Sequence, residues 1–130
     1  MRFLKSAIIA ALIVVLFVST PAWAANLTGP QENAVRSAKQ YLNFQGFSRS
    51  GLIRQLSSTY GDGYDVADAT VAVDSLNIDW NQQAARSAQQ YLSFQGFSCT
   101  GLINQLSSSA GDGYTESEAY YGAQQTNTCQ

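Results

Sequence analysis

Two stretches decide the architecture: Arg36–Tyr64, RSAKQYLNFQGFSRSGLIRQLSSTYGDGY, and Arg86–Tyr114, RSAQQYLSFQGFSCTGLINQLSSSAGDGY. Shifted by 50 residues, Ala34–Val73 falls on Ala84–Ala123 with about 24 identities in 40 positions. That is a tandem duplication, and it governs every later step.

Each copy reads as three short helices. In the second, Trp80, Ala84, Ala88, Tyr91 and Leu92 recur at helical spacing, and the first copy keeps Ala34, Ala38, Tyr41 and Leu42. Gly29 and Asp79 are the expected N-caps, with Pro30 just inside the first helix, where its missing N–H costs nothing. Gly46 and Gly96 are expected to end these helices in the left-handed conformation. Ser48 and Ser98 cap the second helix, and Phe47 with Leu52, or Phe97 with Leu102, forms a hydrophobic staple. Gly61-Asp62-Gly63 and Gly111-Asp112-Gly113 form turns that use glycine's freedom at positive φ. The third helix starts at Asp65 or Thr115. Thr115-Glu116-Ser117-Glu118 is a capping box, of which Asp65-Val66-Ala67-Asp68 is a weaker version.

The expected fold is therefore all-α: two tandem repeats of a three-short-helix, helix-turn-helix-like unit after a signal peptide. Arg2 and Lys5 precede an apolar run from Ala7 to Val18, and Ala22-Trp23-Ala24 supplies a cleavage pattern, so residues 1–24 read as that signal. An apolar run of 12 residues is shorter than the roughly 20 needed to cross a bilayer. Membrane association is expected only if this segment stays uncleaved. Repeat 1 is placed at 25–76, repeat 2 at 77–125, and a C-terminal tail at 126–130. A unit of this size buries little surface alone, so Ile78 and Trp80 at the junction are expected to join the copies into one body.

Beyond the signal, five cations face nine acids, a net charge of −4. Phosphate backbones require clustered Lys and Arg, so nucleic acid is an unsuitable partner despite the helix-turn-helix shape. Export places Cys99 and Cys129 in an oxidising compartment. A disulfide is the expected state there, with two unpaired thiols as the alternative.

No cofactor is implied. The chain has no histidine, so Ser-His and Cys-His pairs cannot form, and two cysteines cannot fill a zinc shell. The Gly-Asp-Gly-Tyr loops lack the alternating oxygen ligands of a calcium loop. Acids at helix starts are explained by the macrodipole before any catalytic role. These observations point to a binding protein and not to an enzyme. Asp65, Asp68, Asp112, Glu116 and Glu118 form a candidate negative patch for a basic partner. Tyr60, Tyr120 and Tyr121 do not recur between copies and are candidate contact residues. Tyr41, Tyr91, Tyr64 and Tyr114 do recur and read as framework.

The repeated core SAxxYLxFQGFSxxGLIxQLSSxxGDGY, with the linking segment AVDSLNIDWNQQA, resembles the Ltp-type host cell surface-exposed lipoproteins across residues 30–124. The resemblance implies tandem helical units outside the cytoplasmic membrane. It also implies superinfection exclusion, often encoded by temperate phages or prophages. In that activity the DNA of an incoming phage is blocked at its tail tape-measure protein or injection channel. Lipoprotein members carry a cysteine just after the signal. Here Val18-Ser19-Thr20-Pro21 leads to Ala-Trp-Ala without one, so the expected location is periplasmic or extracellular, at the cell surface. A structural or adhesive cell-envelope protein built on the same repeat is the alternative function.

Overall fold

A computed structural model describes residues 26–130. The predicted signal peptide, 1–24, lies outside the described residues. Six α-helices follow in order: α1 (Gly29–Phe44), α2 (Arg49–Ser57), α3 (Val66–Ser75), α4 (Trp80–Phe94), α5 (Cys99–Ser107) and α6 (Glu116–Gln124). A short 3-10 turn, Asn127–Cys129, closes the chain. The described residues form no strand, and the fold is the all-α tandem expected.

Local signals set most helix starts. Ser48 and Ser98 accept the N–H groups of Gly51 and Gly101 at 2.9 and 3.0 Å. Thr115 and Glu118 complete a reciprocal capping box. Gly63 and Gly113 take φ of 70° and 73°, the left-handed region that glycine enters without steric cost.

Three expectations are corrected. The cap of α1 is Thr28, in a capping box with Gln31, and Gly29 is the first helical residue. Thr28 wins because its hydroxyl satisfies an orphan N–H, which glycine cannot do. Asp65 sits at the N-cap of α3 but makes no side-chain capping bond. Asp68 instead accepts from the Gln31 amide at 3.1 Å, tying the first turn of α3 to that of α1. Finally, α1 and α4 end at Gln45 and Gln95 in extended backbone, and neither Gly46 nor Gly96 has positive φ. The helices stop without the left-handed residue.

Each unit has its own core. In the first, Leu52 and Leu56 of α2 lie fully buried among Ala38, Ala69 and Val73. In the second, Leu102 and Leu106 pack with Ala84, Ala88, Ala119, Ala123 and Tyr114. Burying one leucine contributes about 1.5–3 kcal/mol, so two per unit make a small core. Ile78 and Trp80 pack against the core of the first unit, although Trp80 is the first residue of α4. The chain reaches them through Asn77, which has φ of 50°.

The copies differ in how the second helix is tied down. Arg49 of α2 makes a two-pronged bridge to Asp74 of α3 at 2.7 and 2.9 Å. At the equivalent position, Cys99 forms a disulfide with Cys129, their Cα atoms 4.9 Å apart.

Candidate partner-binding surface

The two units meet along a seam made largely of hydrogen bonds to main chain. From the first unit, Ser50 donates to the carbonyl of Gly113 at 2.8 Å, and Ser48 donates to that of Asp112. Arg54 donates to the carbonyls of Ser109 and Gly111 at 3.0 and 3.4 Å. From the second unit, Arg86 donates to the carbonyls of Leu42 and Asn43, and Gln90 to that of Phe44. The N–H groups of Gly46 and Phe47 are accepted by Gln90 and Gln83 at 2.9 and 3.3 Å.

This arrangement explains the glycine at 46. A Cβ there would collide with the Ser87 hydroxyl and lie 2.7 Å from the Gln83 carbonyl. Arg86 also solves a problem that α1 leaves open. The last carbonyls of a helix have no internal partner, and a cation beside them suits the negative end of the dipole. The last turn of α1 contains no basic residue, so the second unit supplies one.

Two adjoining grooves of about 340 and 460 Å³ flank the seam and share Gly46 and Asp112. Tyr60 and Arg54 line the smaller, and Phe44, Tyr91 and Phe94 line the larger. Phe44 is 82 % exposed and Phe94 88 %, which is unusual for side chains that gain so much from burial. Sequence reading passed over both. The available signal was that Phe44 falls off the Ala34, Ala38, Tyr41, Leu42 stripe, yet is repeated in the other copy.

The Asp-Tyr pairs behind the loops are repeated too. Tyr41 donates to Asp62 at 2.8 Å and accepts from Gln55, while Tyr91 donates to Asp112 and accepts from Gln105. Tyr64 and Tyr114 bond to Ser37 and Ser87 at 3.1 and 2.7 Å. Burial, reinforced by the Asp112 carboxylate, pushes the Tyr91 phenol up to about 12. Asp112 is itself raised, because burial penalises its charge more than Tyr91 and Arg54 favour it.

The predicted site residues therefore separate. Asp112 lies half-buried in the seam and not on an open patch. Glu116 is exposed and Glu118 partly so, in the first turn of α6. Asp65 and Asp68 sit at the start of α3, in the other unit. Tyr60 stands fully exposed on the groove lip, and Tyr120 is largely exposed on α6. Tyr121 is half-buried, with its hydroxyl accepting from Gln82 at 3.1 Å. No group of three His, Cys, Asp or Glu among the described residues is placed to hold a metal ion.

The surface is thus an aromatic-rimmed crease between two helical units, with Arg54 and Asp112 as the charged residues in its lining. The sequence profile of host cell surface-exposed lipoproteins of the Ltp type matches residues 30–76 and again 79–125. The chain belongs to this family. Among solved structures it is similar to Ltp, a superinfection exclusion protein from the Streptococcus thermophilus temperate phage TP-J34. The two share 31 % identity with a TM-score of 0.70, over 78 % of this chain and all of that one. No curated protein matches. Ltp-type surface exposure agrees with an exported chain, and no described helix is long and apolar enough to cross a membrane.

Proposed function

We propose that this chain is an exported superinfection-exclusion module that binds a component of an incoming phage and stops its DNA from passing into the cell. The observation carrying this reading is its similarity to Ltp across both units. The component proposed is the tail tape-measure protein or the injection channel, and the surface proposed for it is the seam crease with Phe44 and Phe94 on its rim. Aromatic side chains anchor such contacts well, since they bring large area at small entropic cost. The module acts by occupancy and needs no catalytic group. Its place is the periplasm or the outer cell surface, reached through the signal at 1–24.

A phage challenge tests it. Cells expressing the chain with or without residues 1–24 are exposed to a panel of phages, and adsorption and DNA injection are scored separately. Normal adsorption with failed injection, seen only with the exported form, is the expected result. Replacing Phe44 and Phe94 together by serine should relieve the block while leaving the fold intact. If no phage in a broad panel is affected, a structural or adhesive envelope role becomes the better reading.

A further inference from the structure

The seam between the units is heterologous: the turn side of one unit docks on the α4 side of the other. Because the units are copies, each also carries the half-surface that its sister uses. Repeat 2 has a second turn side, and repeat 1 has a second helix side. Among the described residues, neither is covered.

The correspondence is close. Gly46 is wedged against α4, whereas Gly96 has no atom within 4 Å of where a Cβ would stand. Ser48 is buried in the seam, whereas Ser98 is exposed and serves only as a cap. Arg86 covers the last carbonyls of α1. Its counterpart Arg36 is exposed and bonds among the described residues only to Asn33, and no described side chain donates to the carbonyls of Leu92, Ser93 or Phe94 at the end of α4. Gln40, the counterpart of Gln90, is exposed, and its side chain has no hydrogen-bond partner among the described residues. Gly63 faces open space, whereas Gly113 lies against Ser50. The helix end that lacks a cation and the cation that lacks a helix end thus sit on one molecule.

The geometry points to a second copy of this chain as the occupant: repeat 2 of one molecule docks its turn side on the α1 side of repeat 1 in the next. The contact repeats the internal seam, with Arg36 of the incoming copy covering the carbonyls that end α4. Three losses weaken it. Arg54 becomes Asn104, the acceptor Gln83 becomes the shorter Asn33, and the Trp80 anchor becomes Pro30. The association is therefore weak and concentration-dependent. A heterologous contact continues until it closes into a ring or grows as a row. Each new junction would rebuild the crease, with Phe94 taking the place of Phe44, so a row of copies would present the proposed partner surface many times.

Sedimentation of the purified exported chain tests this, from micromolar concentrations to about 1 mM. The expected result is a weight-average mass that rises with concentration past the dimer. Gly96→Leu and Arg36→Glu change exposed positions, so both should fold as the parent does by circular dichroism, and each alone should stay monomeric. Mixed in equal amounts they should pair and stop at two, since each supplies the half-surface that the other has lost. A parent chain that stays monomeric throughout overturns the proposal. So does self-association that survives both substitutions, or a mixture that fails to pair.

Discussion

Gly46 and Ser87 approach so closely that a Cβ on residue 46 would lie 2.9 Å from the Ser87 nitrogen, while Gly96, identical in local sequence, touches nothing. Gly46→Ala should destabilise the chain by about 1–3 kcal/mol through overpacking at the seam. Gly96→Ala should be neutral, or stabilising by about 0.4–1 kcal/mol through a less flexible unfolded chain. Urea unfolding of the pair measures the contrast. Equal effects would mean that the seam adds nothing to stability.

Trp80 begins α4 but packs against the core of the first unit. Trp80→Ala should cost about 2–3 kcal/mol, less than full burial would give because the ring is only partly buried. The mutant should still melt in a single transition by calorimetry, since the hydrogen-bonded seam remains. Two resolved transitions would show that Trp80 alone couples the units.

The Cys99–Cys129 bond closes a loop spanning 30 residues. On the chain-entropy account its removal should cost about 3–4 kcal/mol. Cys99→Ser with Cys129→Ser should lower the urea midpoint, and a reducing agent should do the same to the parent chain but not to the double mutant. A parent chain insensitive to reduction would mean that the tail contributes little.

Asp112 and Asp74 bend the pH profile in opposite directions. Burial raises the Asp112 pKa above its ordinary 3.8, so its contribution is most favourable below that value and declines as pH rises through the folded pKa. Arg49 lowers Asp74, whose contribution is present above 3.8 and lost as the solution is acidified through the lowered value. Both side chains of that pair are half-exposed, so the bridge is worth no more than about 0.2–1 kcal/mol. Asp112→Asn should therefore gain stability relative to the parent as pH rises from about 4 to 7, measured by urea unfolding in a pH series. At the alkaline end, Tyr91 should resist ionisation until about 12. Its contribution is intact below 10 and is lost between there and the raised value, which absorbance titration of the phenol would follow.

What the sequence disclosed was what short-range chemistry decides. The serine caps, the Thr115–Glu118 box and the positive-φ glycines of both loops each depend on residues a few positions apart. The alanine-leucine stripes foretold the two small cores. The misreadings fall where distant contacts rule. Gly46 looked like a helix terminator, because nothing local separates it from Gly96. Arg54 and Arg86 carry no local signal of their role, because their carbonyl partners lie 43 or more residues away. Asp112 looked like part of an open acidic patch because its burial is imposed by the other unit. For the same reason, the crease with Phe44 and Phe94 could not be assembled from either copy alone.

Most of the donors that cross the seam address peptide carbonyls, not side chains. A carbonyl is present whatever residue bears it, so the exposed side chains of Asn43, Phe44 and Ser109 can change without disturbing the register of the two units. Rigidity and novelty are thereby uncoupled: the rim of the crease can vary while the scaffold beneath it keeps its shape.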